Sequence, residues 1–237
     1  MRVSVISAVT VLALGAQGTL AGAISNPEPR ELSVAEELEA EGFTIHQAQF
    51  TGDFGPNGES MTLNGTIQEV MAQAEKMQPG FTDKIHGLIA DRHHGTAGRS
   101  DSRGPPVDNN RDDSWKTRLV GTKDCGLGDW TYENFILEGI DYLNVVPTGK
   151  SRLESYGCHR ISCSDHSAIY QCWEPFQGAP DVYEKDWAYV ADYAEGIVRE
   201  WCPTKDNIGT NAYKIKGVRG KVWDPKGMAI HVRKDKC

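Results

Sequence analysis

The side chains with the greatest chemical capacity in this 237-residue chain are six cysteines and seven histidines. Cys125, Cys158, Cys163, Cys172, Cys202 and Cys237 all fall in the second half of the sequence. An even set of this kind reads as a disulfide framework, each bridge contributing about 2 to 4 kcal/mol. The rival chemistries are a metal site and a thiol nucleophile. Cys158 and Cys163 approach zinc-ligand spacing, but no matching histidine or second cysteine pair follows. Pairing within the chain is therefore expected for all six. Which cysteine meets which stays open, because a one-residue change of strand register alters the partners that can touch.

Among the histidines, His159, His166 and His231 are weak catalytic candidates, with Glu138, Glu154 or Glu195 as carboxylate partners. Acid–base catalysis requires an imidazole and a carboxylate within reach of one scissile group. His166 falls at a hairpin tip, and His231 alternates outward beside Arg233, so both are expected in solvent. Neither Gly-x-Ser-x-Gly nor His-Glu-x-x-His occurs. His93-His94 is a weak metal candidate, and Asp108-Asn109-Asn110-Arg111-Asp112 imitates a calcium loop but has Asp113 where glycine is needed. No metal or cofactor is expected, and the balance leans away from an enzyme. Asn64-Gly65-Thr66 is a glycosylation sequon.

A net charge of −8 argues against a general nucleic-acid binder, yet the charge is unevenly placed. Glu31, Glu36, Glu37, Glu39 and Glu41 make the early chain acidic, whereas lysines and arginines dominate after Cys202. Lys214, Lys216, Arg219, Lys221 and Lys226, with Tyr213 and Trp223 interleaved, form a candidate patch for an anionic polymer or membrane surface. The competing reading is that these lysines guard an edge strand against sheet-to-sheet association.

The elements that must position these groups follow from the pattern. Arg2, an apolar run over residues 3–14 and Ala21-Gly22-Ala23 mark residues 1–23 as a secretory signal, too short for a membrane span. Capping boxes at Ser33–Glu36 and Thr66–Glu69 start two short helices in residues 24–94, a cysteine-free stretch expected to be a poorly ordered, propeptide-like region. Residues 95–118 are rich in Gly, Ser, Pro, Asn and Arg and are expected to be a flexible linker.

Residues 119–237 then read as a separate cysteine-rich domain. Its helices are expected to start at Asp129 or Thr131 and at Asp186, with hairpins around Ser164-Asp165-His166-Ser167 and Asp224-Pro225-Lys226-Gly227. Both helices carry Glu-Gly-Ile, and a glycine at mid-helix points to a close approach of helix to helix or sheet. The expected fold class is α+β: an antiparallel sheet of about four to five strands, disulfide-stapled and covered on one face by two α-helices.

Gly157-Cys158-His159-Arg160-Ile161-Ser162-Cys163-Ser164, followed by Ser167-Ala168-Ile169-Tyr170-Gln171-Cys172, resembles a segment of small cysteine-rich proteins secreted by filamentous fungi. With Trp187-Ala188-Tyr189-Val190-Ala191-Asp192-Tyr193-Ala194 and the closing Cys237, the likeness extends to the α/β-sandwich of fungal killer-toxin-like effectors, including smut virus killer toxins. The resemblance covers residues 125–237. It implies a secreted, extracellular, monomeric effector or toxin-like virulence protein that binds a host or competitor component. A small secreted hydrolase, ribonuclease-like or directed at cell-wall polymer, and a wall-associated structural protein are the alternatives.

Overall fold

The computed structural model describes residues 32–94, 122–175, 179–206, 208 and 215–237. The expected signal segment, the linker and Lys214 lie outside them. Both capping boxes form. Ser33 accepts from the Glu36 amide while the Glu36 carboxylate accepts from the Ser33 amide, opening α1 (Val34–Ala40). Thr66 and Glu69 do the same for α2 (Ile67–Met77). Gln78-Pro79-Gly80 ends α2, and the same turn launches α3 (Phe81–His94), because the Glu75 carboxylate accepts from the amides of Gly80 and Thr82. Between α1 and α2 lie β1 (Thr44–Gln47), β2 (Gln49–Gly52) and β3 (Met61–Asn64).

The second half runs β4 (Lys123–Asp124), β5 (Thr131–Tyr132), α4 (Glu133–Val145), β6 (Lys150–Glu154), β7 (Gly157–Ser164) and β8 (Ser167–Trp173). It continues with β9 (Val182–Asp186), α5 (Trp187–Gly196), a π-helical turn (Ile197–Trp201), β10 (Gly217–Val218), β11 (Gly220–Trp223) and β12 (Met228–Lys234). The class is α+β, as expected. The central sheet, however, has six strands in the order β1-β7-β8-β12-β11-β4, and it is mixed. β1 runs parallel to β7, with Ile45 opposite Cys158 and His46 opposite His159. Three two-stranded sheets, β2–β3, β5–β10 and β6–β9, accompany it.

Coverage of one face alone does not hold either. Ile169, Trp173, Met228, Ile230 and Val232 share a core with residues of α2, α4 and α5, among them Val70, Ile136 and Val190. The alternate residues Ala168, Tyr170, Cys172 and Ala229 point the other way and pack with Val34 and Leu38 of α1 and with Phe43. A sheet buried on both faces cannot show a clean polar and apolar alternation.

Residues 32–94 are thus built into the fold, which corrects the expectation of a poorly ordered arm for that stretch. Phe50 is fully buried and stacks on Trp187 with ring centroids 4.3 Å apart, and Phe54 meets Phe81 edge-on. The described residues, from Leu32 to Cys237, form one compact unit.

Of the two Glu-Gly-Ile glycines, Gly139 marks a close approach of helix to sheet, whereas Gly196 makes room for a side chain of its own helical stretch. A Cβ on Gly139 would lie 2.2 Å from Ser162 Oγ, so α4 rests directly on β7. On Gly196 it would lie 2.3 Å from the Trp201 ring. The start of α4 differs from expectation. Its N-cap is Tyr132 with no side-chain cap, because Thr131 spends its hydroxyl on Ser167 and on the His166 carbonyl.

The expected turn at 224–227 is present and organises its surroundings. Asp224 Oδ1 accepts from the amides of Lys226 and Met228, while the hydroxyls of Tyr183 and Tyr189 donate to Oδ2. All six cysteines are paired, as Cys125–Cys202, Cys158–Cys172 and Cys163–Cys237. A bulge between Arg160 and Ser162 shifts the register so that Cys158 lies opposite Cys172, while Cys163, opposite Ala168 on the turn side of the bulge, bonds the terminal cysteine.

If residues 32–94 carry part of the core, truncating Phe50 must destabilise the disulfide-bonded half as well. Phe50→Ala is expected to lower the unfolding free energy in urea by about 3 to 5 kcal/mol. Near-UV circular dichroism, which reports Trp187 and its neighbours, should follow the same shifted transition.

Candidate functional site

The strands that add the N-terminal segment to the sheet also build a groove. On β6 the burial alternates, so Ser151 and Leu153 point inward while Lys150, Arg152 and Glu154 face out. β9 pairs with β6 and sets Glu184 directly opposite Arg152. On the facing wall, β1 brings His46 beside His159 of β7, their rings edge-to-face with centroids 6.0 Å apart. Thr51 and Thr62, hydrogen-bonded to each other at 2.8 Å, close the side formed by β2 and β3. The resulting groove, of about 410 Å³, is lined by these residues with Gln47 and Gln49.

Its lining is two cations, two carboxylates, two imidazoles, two amides and two hydroxyls, with no aliphatic side chain. Such a surface offers hydrogen bonds and charges of both signs to a polar ligand, and its apolar area comes only from side-chain stems and rings. The two histidines differ. His159 is 8% exposed, and burial, reinforced by the nearby His46, pushes its pKa down to about 4. It is therefore a neutral imidazole near neutral pH, and its Nδ1 is buried without a hydrogen-bond partner among the described residues. His46 is exposed.

The structure separates the three histidines singled out from the sequence. Only His159, with Glu154, reaches the groove. His166 sits at the opposite end of the β7–β8 hairpin, about 20 Å away along the strand. His231 does not face solvent. It is 1% exposed, both ring nitrogens lack hydrogen-bond partners among the described residues, and burial next to Lys221 and Arg233 drives its pKa far down. The outward alternation fails because α1 covers that face. The other two carboxylates are engaged elsewhere, Glu138 by Tyr142 and Glu195 by Arg199.

Four members of the basic patch, Lys216, Arg219, Lys221 and Lys226, fall on the described residues, and they do not share one exposed surface. Lys221 is buried, ion-paired with Glu174 at 2.5 Å, and sits over the Trp223 ring. Arg219 lies over Trp130 and donates to the Gly128 carbonyl. Lys216 and Lys226 are exposed on either side of β11. Asn64 is exposed at the end of β3, but the Thr66 hydroxyl of its sequon is occupied by the α2 capping box. His93 pairs with Asp141 at 3.2 Å. Among the described residues, no group of three or more His, Cys, Asp or Glu is placed to hold a metal ion.

Sequence reasoning missed His46, Lys150, Arg152 and Glu184. The alternating run Thr44-Ile45-His46-Gln47 carried a strand signal, but its partner lies more than a hundred residues away. No family model, curated protein or solved structure matches the chain.

The two depressed histidines set a pH dependence. Between the ordinary value of 6.5 and about 4 for His159, the unfolded chain binds protons that the folded chain does not. Neither histidine opposes folding above pH 6.5, and stability falls as the pH drops toward 4 for His159, with His231 carrying the loss further down. Urea denaturation should show stability declining through this window, with a shallower decline in His159→Gln. An identical slope in that variant would contradict the assignment.

Proposed function

We propose that this chain is a secreted, disulfide-stapled protein of the fungal effector or toxin-like kind, acting by binding a polar host or competitor component in the groove. The observation that carries this reading is the lining of polar and charged side chains, in which Arg152 opposite Glu184 and the His46–His159 pair offer charges of both signs and ring nitrogens to a partner. The three disulfides accord with export, and no described helix is long and apolar enough to cross a membrane. The killer-toxin-like resemblance of residues 125–237 points the same way.

A second reading is favoured by one specific observation. A neutral imidazole with a buried, unpartnered nitrogen shares the groove with an exposed imidazole and two glutamates. That set of groups can supply a general base and a general acid to a small hydrolase acting on RNA or cell-wall polymer.

Two measurements separate the readings. In growth-inhibition and cell-death assays with the purified protein, Arg152→Glu and Glu184→Arg should each reduce potency at least about tenfold, the equivalent of about 1.4 kcal/mol at the partner interface. Both side chains are exposed, so the folded state should be nearly unaffected. Unchanged potency in both variants would remove the groove from the working surface. Soluble fragments released from RNA or wall polymer by the wild type, and reduced about 100-fold or more in His159→Gln, would replace the binding reading with the hydrolase.

A further inference from the structure

A second concavity, of about 400 Å³, lies at the other end of the β7–β8 hairpin. It is lined by Trp130, Thr131, Tyr132, His166, Lys205, Ile208 and Lys234. Its composition contrasts with that of the groove. It has two lysines, a histidine and two large aromatic rings, and among the described residues no carboxylate lines it. Asp129, Asp165 and Asp206 are neighbours in sequence, but none of them faces into it. Neither lysine nor His166 takes part in an ion pair among the described residues.

The walls are fixed before any ligand arrives. The Thr131 hydroxyl donates to the His166 carbonyl at 3.0 Å, and the Tyr132 amide donates to Ser167 Oγ at 3.2 Å, so β5 is fastened to the hairpin tip. The Lys234 amide donates to the Asp129 carbonyl, and Lys205 exchanges two backbone bonds with Gly217. Arg219 lies 4.6 Å from the centroid of Trp130, and Lys205 Nζ lies 5.9 Å from it. The indole is thus held by one cation and approached by another.

The hairpin tip adds a backbone signal. Asp165 and His166 have φ of 42° and 61°, a left-handed pair in the position where Asn-Gly is the usual choice. Non-glycine residues enter that region at a cost, and such residues persist where the surroundings over-determine them. Here the His166 carbonyl accepts from both Thr131 and the Asp235 amide, so the imidazole is presented at the pocket from an anchored backbone.

Unpaired cations on rigid walls, next to ring faces, match an anion with a flat body. We infer that Trp130, Tyr132, His166, Lys205 and Lys234 form a binding site for an oxyanion ester, of the phosphate or sulfate type, carried on a planar ring. The lysines and His166 take the oxyanion, whose several acceptor oxygens an ammonium meets as a compact point charge with three rotatable donors. The rings of Trp130 and Tyr132 take the planar part. The site is independent of the groove and does not depend on the function assigned to that groove.

Calorimetric titration of the whole purified chain with phenyl phosphate, inorganic phosphate and phenol tests this. Phenyl phosphate should bind saturably and at least about tenfold more tightly than inorganic phosphate, with phenol weaker than both. Lys205→Glu combined with Lys234→Glu should weaken phenyl phosphate by at least about tenfold, and Arg152→Glu in the groove should leave it unchanged. His166→Asn provides a second variant that keeps the fold, since asparagine accepts the left-handed turn, and it should weaken phenyl phosphate several-fold. Absence of saturable phenyl phosphate binding, or affinity unchanged in both the double reversal and His166→Asn, would overturn the site. Equal affinity for phenyl phosphate and inorganic phosphate would overturn the role of the rings.

Discussion

The parallel pairing of β1 with β7 is the contact on which the rest of the arrangement depends. Without it, β7 would be an edge strand offering free backbone groups along a hydrophobic, cysteine-bearing segment. β1 covers that edge with a strand whose outward residues are polar. A parallel partner needs a long connection, and here it spans residues 48–156, so the sheet is complete only when both halves of the chain are present. The same pairing puts His46 next to His159 and carries α1 over the second face of the sheet. The groove and the second core are therefore products of one long-range contact.

The second face shows what that coverage requires. Lys221, His231, Arg233 and Asp235 are all buried there. Burial of charge is tolerated where each group finds a partner. Arg233 reaches Glu37 of α1 at 2.5 Å, Lys221 takes Glu174, and Asp235 accepts from Tyr170 at 2.7 Å and from Arg160. His231, flanked by two cations, escapes the penalty by remaining neutral. Helix α1 is only seven residues long. Its hold comes from Val34 and Leu38 in the second core and from Glu37 on Arg233, not from helix propensity.

Much of the local structure was legible because its causes are local. Both capping boxes, the two hairpin turns, the apolar faces of α4 and α5 and the close approach at Gly139 each rest on a few neighbouring residues. Cysteine parity announced complete pairing, while the connectivity turned on a single bulge between Arg160 and Ser162. The parallel strand was not legible, since nothing in Thr44–Gln47 names a partner at Gly157–Arg160. That one omission carried the others with it. A sheet assumed to be open on one face makes His231 and Lys221 look solvated, and a groove wall without β1 lacks half of its imidazole pair.

The most direct test is to cut the chain in two without removing any of it. A specific protease site placed between residues 95 and 121 yields an N-terminal piece that contains no cysteine, so no disulfide can retain it. After cleavage, size-exclusion chromatography under native, non-reducing conditions should show both pieces co-eluting and unfolding in a single urea transition. A C-terminal piece that elutes alone and keeps its near-UV spectrum and unfolding midpoint would show that residues 32–94 are dispensable, and would contradict the account.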